Sequence, residues 1–157
     1  MANSVFNEQK VIVFQLQDKE YGVFVQNVKS IEKVDHITRV PKTADYIKGV
    51  INLRGVVTPI IDLRKRLNMP EKEITDQTRV IIAVQNEMEV GLIVDSANDV
   101  VDISEDSIEP APSVIEQVET EFIKGITKLD KRLIMLLDLE KVLSKENQRV
   151  IEHEQVV

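Results

Sequence analysis

An internal duplication is the feature of this sequence that most restricts its fold. Residues 10–34 align without a gap on residues 79–103, so that each residue corresponds to the one 69 positions later. Residues 46–67 align in the same way on residues 122–143, at a spacing of 76, and both segments contain Ile-Lys-Gly and Asp-Leu. Two ungapped matches in the same order indicate a duplication rather than chance similarity between apolar strands. We therefore expect two halves of similar plan.

Each copy contains the same order of strand signals. An apolar run, a polar turn and a second apolar run predict a β-hairpin, and a third segment, a proline-containing loop and another pair of apolar runs follow. The segments are rich in Val and Ile, and only 4% of the residues are aromatic. This pattern predicts a mainly β protein built from two small barrel-like lobes of four to five strands each.

The duplication also suggests lobe boundaries. We expect one domain, residues 1–157, with a first lobe at about residues 18–78 and a second at about 79–143. The N-terminal strand, residues 10–17, is a candidate member of the second lobe. A seven-residue insertion with two prolines separates the matched segments of the second copy, around residues 103–121.

Short helices are expected after the last strand of each copy. Asp62 and Asp138 are candidate N-caps, because an aspartate before a helical segment can accept hydrogen bonds from its free N–H groups. Asn68 and Pro70 end the first helix, whereas the second is predicted to form a C-terminal helix at about residues 139–153.

The chain has five glycines, and we expect structural roles for all of them. The two in the repeated Ile-Lys-Gly segments suit a turn that needs positive φ or tight packing. The predicted structural turn positions are Gly22, Gly49, Gly55, Gly91 and Gly125.

Composition excludes several classes of function. The chain has no cysteine, which excludes disulfides, thiolate nucleophiles and cysteine-ligated metals and suits a reducing compartment. It starts without a signal-peptide pattern, and no apolar run approaches the roughly 18 residues of a membrane span. A net charge of −7 argues against sequence-independent binding to nucleic acid. We expect a cytoplasmic protein that does not insert into the membrane.

Candidate catalytic groups are scarce. The only histidines are His36, in a charged loop, and His153, in a polar tail, and both are better explained as surface residues. No HExxH, GxSxG or glycine-rich phosphate motif is present. The acidic run at residues 116–121 suits a solvated face better than a pair of catalytic carboxylates. We therefore expect no enzymatic activity, no cofactor and no metal site.

Arg54 has an internal control in the second copy. The first hairpin turns at Leu53-Arg54-Gly55, where the second has Leu129-Asp130-Lys131. Because the same turn accepts an aspartate, it does not require a guanidinium. Arg54 is then either an ordinary surface charge or a contact residue, since arginine is enriched at interface hot spots. The neighbouring Leu53 favours a contact, because an exposed leucine at a turn is a liability unless covered.

Several segments carry a resemblance to a known family. They are EYGVFVQNVKSI, GVINLRGVVTPIIDLRKRL, EVGLIVD and LIMLLDL, at residues 20–31, 49–67, 89–95 and 133–139. Together they resemble the CheW-like family of bacterial chemotaxis coupling modules, over about residues 10–143. The module also occurs at the end of the kinase CheA and, in CheV, beside a receiver domain. Neither extra region accompanies it here, so the free-standing coupling proteins match better.

The resemblance implies two five-stranded, SH3-like barrels that act as an adaptor without catalysis. Members bridge the cytoplasmic tips of methyl-accepting chemoreceptors to the regulatory domain of the histidine kinase CheA, in arrays at the membrane. A helical hairpin of the receptor would lie in a groove between the lobes, with Arg54 near its edge. The floor of that groove would be formed by Ile12, Val25, Val28, Ile31, Ala97 and Val100. These aliphatic residues also fit a plain core; Val28 and Ile31 are favoured for contact because they alternate with charged neighbours.

The resemblance also implies a separate kinase contact at the end of the first lobe. Ile37 and Val40 would be its apolar anchors, with Leu53 across the hairpin. One position departs from the family: several relatives have a glutamate where this chain has Ser30, and here the acid is Glu32.

Other interpretations remain open at this stage. A CheV-like origin and a related pathway that controls pili or development use the same module. An interpretation from another class is a barrel that binds single-stranded nucleic acid. That function would call for stacking aromatics on a basic groove, whereas this acidic chain has four Phe, two Tyr and no Trp.

Overall fold

The computed structural model describes residues 8–34, 36–110 and 121–144. Within these ranges the chain forms short strands, two one-turn α-helices and 3-10 turns that include Val25–Asn27 and Glu105–Ser107. The strands are β1 (Glu8–Leu16), β2 (Lys19–Phe24), β3 (Val28–Lys33), β4 (Ile47–Leu53), β5 (Val56–Asp62), β6 (Arg79–Gln85), β7 (Met88–Val94), β8 (Ser96–Ser104), β9 (Ile108–Glu109), β10 (Ile123–Leu129) and β11 (Arg132–Leu137). The helices are α1 (Leu63–Arg66) and α2 (Leu139–Val142).

The strands form two sheets, which confirms the mainly β, two-lobed prediction. The six-stranded lobe has the order β8-β1-β2-β11-β10-β9, and the five-stranded lobe has the order β3-β6-β7-β5-β4. The elements repeat with the spacing of the sequence: β4, β5 and α1 correspond to β10, β11 and α2, 76 residues later.

The two copies exchange their first hairpins. β1 and β2, from the first copy, pair with β8 and β11 of the second, and β6 and β7 pair with β3 and β5 of the first. The predicted lobe ranges, residues 18–78 and 79–143, therefore differ from the observed lobes, each of which combines both copies. The N-terminal strand does join strands of the second copy. The sequence could not reveal the exchange, because the local signals of a hairpin are the same whichever sheet it enters.

Four of the five glycines lie within strands rather than in turns, contrary to the prediction. Gly49 in β4 and Gly125 in β10 each lie at a β-bulge, where the register shifts, so the repeated Ile-Lys-Gly marks two bulges. Gly22 and Gly91 lie in the middle of β2 and β7, where an added Cβ would come 2.5 and 2.6 Å from neighbouring side-chain carbons. Only Gly55, with φ of 86°, lies in a turn.

The largest buried cluster joins the two lobes. Phe14 and Tyr21 of the six-stranded lobe stack with ring centroids 5.9 Å apart, and they share this cluster with Ile81 and Leu92 of the five-stranded lobe. We call this set the inter-lobe cluster. Each lobe also has a small core of its own. Because most of the buried apolar surface is shared, we expect neither lobe to be stable alone.

The helix predictions are confirmed in part. The carboxylate of Asp138 accepts a hydrogen bond from the Lys141 N–H at 3.2 Å, as predicted for an N-cap, whereas Asp62 occupies the N-cap position of α1 without a side-chain bond. The C-terminal helix ends at Val142 with Leu143 as its C-cap, so it is shorter than the predicted range of residues 139–153 where the structure describes it; residues 145–153 lie outside the described residues. In the described part of the chain, no helix has the length and apolar character needed to span a membrane.

Candidate partner-binding surfaces

The residues predicted for the groove floor fall into three groups by burial. Ile12 is 6% exposed and belongs to the inter-lobe cluster, so it is a core residue and not a contact residue. Val25, Val28 and Ala97 are half-buried and pack against the same cluster. Two further residues are open to solvent: Ile31 is 41% exposed and Val100 is 55% exposed.

Ile31 and Val100 flank the inter-lobe cluster from opposite lobes. Ile31 lies on β3, at the edge of the five-stranded lobe, directly opposite Ile81, and Val100 lies on β8, at the edge of the six-stranded lobe, directly opposite Ile12. Residues directly opposite on paired strands project to the same face of the sheet. Since Ile12 and Ile81 both enter the inter-lobe cluster, Ile31 and Val100 extend that cluster to the surface. We call Val28, Ile31, Ala97 and Val100 the inter-lobe surface.

Arg54 lies at the tip of the β4–β5 hairpin, in a turn that the second copy reproduces. Arg54 has φ of 52° and its counterpart Asp130 has φ of 56°, so both copies use the left-handed region at this position. Gly55 follows, and its N–H donates to Oδ1 of Asn52 at 2.9 Å. This geometry confirms that the turn does not need a guanidinium and leaves the side chain of Arg54 70% exposed.

Glu32 is the acidic partner of Arg54. The guanidinium lies 3.4 Å from the Glu32 carboxylate, which is 24% exposed on β3. A long, exposed pair of this kind contributes under about 1 kcal/mol to stability. The hydroxyl of Ser30, where relatives were expected to have the acid, is buried and has no hydrogen-bond partner within the described residues. The acid at Glu32 is therefore directed to the hairpin tip.

Two of the three residues predicted for the kinase contact lie at the small core of the five-stranded lobe. Ile37 and Leu53 are half-buried and pack against this core, and Val40 is 38% exposed. Thr38 is held to Val50 of β4 by two backbone hydrogen bonds of 2.8 and 2.9 Å, which fix the segment before β4.

Two exposed valines beside the hairpin tip were not among the contact residues predicted from the sequence. Val56 is 46% exposed and Val57 is 66% exposed, and Val56 pairs with Leu53 across the hairpin. We call Leu53, Val56 and Val57 the hairpin surface. Two adjacent valines on a strand face opposite sides of a sheet, but this pattern does not predict their exposure, since the adjacent Ile60 and Ile61 on the same strand are both buried.

The corresponding tip of the six-stranded lobe has different chemistry. Leu133, the counterpart of Val57, is 57% exposed, but Arg132 replaces Val56. The guanidinium of Arg132 binds the Glu20 carboxylate through two bonds of 2.9 Å and lies 3.4 Å from Asp99. Hydrogen bonding to Arg132 lowers the pKa of Glu20, and Glu20 and Asp99 raise the pKa of Arg132.

The aromatic residues that the structure describes do not form a platform for stacking bases. Phe14 and Tyr21 are fully buried, Phe122 is 4% exposed, and the ammonium of Lys124 lies 5.0 Å from the ring centre of Phe24. Single-strand binding needs exposed rings beside a basic groove. The described aromatic residues therefore do not support the nucleic-acid interpretation. Among the described residues, no group of three or more His, Cys, Asp or Glu side chains could hold a metal ion.

Comparison with known proteins identifies the relatives of this chain. The model of the CheW-like domain matches residues 10–147. The chain is 51% identical to the chemotaxis protein CheW of Bacillus subtilis over 147 residues, covering 94% of each protein. It is 37% identical to the chemotaxis protein CheW of Klebsiella aerogenes, covering 92% of this chain and 87% of that protein.

A solved structure has the same fold. The crystal structure of the scaffolding protein TtCheW from Thermoanaerobacter tengcongensis matches with a TM-score of 0.80 at 37% sequence identity. The match covers 87% of this chain and 88% of that one.

Proposed function

The chain belongs to the CheW-like domain family, and we propose that it is a non-enzymatic adaptor that couples the cytoplasmic tips of chemoreceptors to the histidine kinase CheA. The observation that carries this proposal is the inter-lobe surface, on which exposed aliphatic residues of two lobes flank one shared core. An adaptor needs separate surfaces for its partners, and the hairpin surface supplies a second one.

The inter-lobe surface suits the helical hairpin of a receptor. Helix-in-groove recognition requires apolar side chains on the floor and polar groups at the rim. Val28 and Ala97 supply half-buried apolar area, and Ile31 and Val100 supply exposed area on either side. Arg54 supplies a cation at the rim. It pairs with Glu32, which lies on the same strand as Ile31, and its side chain is largely exposed.

The hairpin surface and Val40 suit the regulatory domain of the kinase. Val56 and Val57 expose large parts of their side chains beside Leu53, and the Thr38–Val50 bridge fixes the segment that leads to Val40. Isolated exposed valines are ordinary, but two in succession at a hairpin tip are a liability unless a partner covers them. We assign Ile37 a supporting role, because it packs on the lobe core beneath this region.

We further propose that the protein works in the cytoplasm and reaches the membrane only through its receptors. The experiment that tests the function is reconstitution with receptor-containing membranes and CheA, with kinase activity measured in the presence and absence of the protein. Receptor-dependent activation supports coupling. Absence of both binding and activation, with partners from the same organism, would contradict it and favour an adaptor of another pathway.

A further inference from the structure

Helix α1 carries two arginines that its repeat counterpart lacks. The sequence of α1 is Leu-Arg-Lys-Arg, and that of α2 is Leu-Glu-Lys-Val. Arg64 therefore corresponds to Glu140, and Arg66 corresponds to Val142. Because both helices follow equivalent strands in the same fold element, the helical turn itself needs neither arginine.

Arg66 connects the five-stranded lobe, to which α1 belongs, with the six-stranded lobe. Its guanidinium carbon lies 4.8 Å from the ring centre of Tyr46 and 4.2 Å from that of Phe122, which are equivalent aromatics of the two copies. Nε of Arg66 donates to the carbonyl oxygen of Val142 at 3.1 Å, and a terminal nitrogen donates to that of Lys141 at 3.4 Å. Both acceptors are carbonyls at the end of α2, so one side chain binds both lobes.

Arg64 makes a second connection from the same helix. Its Nε and a terminal nitrogen donate to the carboxylate of Asp95 at 2.8 and 2.6 Å, and both side chains are only 12% and 11% exposed. The same carboxylate accepts the N–H of Gln17 at 2.8 Å, and the N–H of Asp95 donates to the carbonyl of Gln15 at 3.0 Å. Gln15 lies near the end of β1 and Gln17 lies in the β1–β2 turn, both in the six-stranded lobe.

We propose that α1 is an inter-lobe clamp, in which Arg64 and Arg66 fix the orientation of the two lobes and thereby the spacing of the receptor-binding surface. The part that concerns the receptor rests on the proposed function. Ile31 and Val100 lie on different lobes, so the distance between them depends on how the lobes are oriented. The described contacts of Arg66 are with the two aromatic rings and the end of α2, so it acts on this surface as a positioning residue.

The contacts of Arg66 are suited to fixing the relative orientation of the two lobes, and not only to holding the lobes together. Apolar packing between the lobes does not require a cation at this helix position. Val142, the counterpart of Arg66 in α2, is 1% exposed and belongs to the inter-lobe cluster. A guanidinium between two rings, with two directed hydrogen bonds, permits few arrangements of the groups around it. Apolar contacts alone are non-directional and would hold the lobes together without fixing their angle.

The first arm of the test measures lobe orientation without any partner. The chain has no cysteine, so spin labels can be attached at Val57→Cys and Leu133→Cys, which are exposed equivalent positions on the two lobes. We expect one narrow distance distribution in the parent protein and a shifted or broadened one in Arg66→Met. Lys65→Met, on the same helix, is the matched control, because Lys65 pairs with Glu71 and not with the other lobe. An unchanged distribution in Arg66→Met would overturn the clamp.

Two further measurements keep the result decisive. If Arg66→Met does not fold, Arg66→Lys is the replacement, because it retains the cation but loses the planar fork. It should still broaden the distance distribution, and an unchanged distance distribution would overturn the proposal.

In the second arm, Arg66→Met should bind the receptor tip at least about fivefold more weakly, with unchanged affinity for the kinase. Equal losses for both partners would indicate a general structural role and contradict the positioning role. Failure of the parent protein to bind the receptor would count against the proposed function, while the distance measurement still decides the clamp.

Discussion

Ile31 and Val100 occupy equivalent positions in the two sequence copies, yet they lie on different lobes and flank the same buried cluster. The exchange of the first hairpins produces this relationship. It puts the strand of Ile31 beside β6 of the second copy, and the strand of Val100 beside β1 of the first. A duplicated chain thereby obtains one apolar surface to which both lobes contribute.

Val100→Asp tests the inter-lobe surface. Because Val100 is 55% exposed on an edge strand, we expect little change in the free energy of unfolding, within about 0.5 kcal/mol. Burial of an unpaired carboxylate against a receptor helix should weaken receptor binding by tenfold or more, roughly the effect of losing a hot-spot residue. Leu133→Asp, on the same lobe and 57% exposed, is the control. Equal effects of the two substitutions in a receptor pull-down would contradict the assignment.

Arg54→Glu tests the rim cation. The substitution puts a carboxylate near Glu32, and the exposed pair it replaces contributes under about 1 kcal/mol, so the fold should persist. We expect weaker receptor coupling, measured as co-sedimentation with receptor membranes, and Asp130→Lys at the equivalent turn should have no such effect. Unchanged receptor binding by a well-folded Arg54→Glu variant would show that Arg54 is only a surface charge.

Val40→Asp separates the two proposed surfaces. Val40 is 38% exposed and lies in the segment that the Thr38–Val50 bridge holds against β4. A carboxylate there should reduce affinity for the kinase regulatory domain more than affinity for the receptor, as measured by titration calorimetry with each partner. Ile74→Asp, at another exposed aliphatic residue, is the control. A larger loss of receptor affinity would mean that the two surfaces are exchanged.

Asp95→Asn tests the ionic connection between the lobes. Burial opposes the ionisation of Asp95, but hydrogen bonds from Arg64 and the Gln17 N–H, with the charge of Lys72, leave its pKa below the usual value. A carboxyl group with a lowered pKa in the folded state adds stability that is present above its unfolded pKa, about 4, and is lost as pH falls through the folded value.

The substitution should therefore cost about 3 kcal/mol near pH 7, because it leaves a nearly buried guanidinium without its charge partner. The difference in the free energy of unfolding between parent and variant should narrow below about pH 4. Urea unfolding at pH 7, 5 and 3 provides the measurement, and a difference that stays constant or widens at pH 3 would refute this account.

The duplication predicted much of the fold because equivalent segments form equivalent elements, as α1 and α2 do 76 residues apart. It could not predict the hairpin exchange, since β2 and β7 pair in parallel with strands distant in sequence and local pattern does not specify such partners. The same limit applies to the candidate site. Ile12 and Val100 face each other on paired strands, yet only the position of β8 at a sheet edge makes Val100 accessible.

The arginines of α1 illustrate a second limit of the sequence. Tyr46 and Phe122 correspond in the two copies, but nothing local to either one indicates that a guanidinium lies between them. A contact of this kind depends on how two lobes dock, which emerges only when both sheets are complete. The alignment of the two copies does contain a signal. Arg66 in α1 aligns with Val142 in α2, and such a difference between equivalent helix positions indicates that the two copies differ in role there.

The most direct test of the central claim is kinase activity of CheA in receptor-containing membranes, measured with the parent protein, with Val100→Asp and with Val40→Asp. We expect receptor-dependent activation by the parent protein. We also expect loss of receptor association in Val100→Asp with the kinase still bound, and the reverse loss in Val40→Asp. Full activation by both folded variants would contradict the claim that these two surfaces connect receptor and kinase.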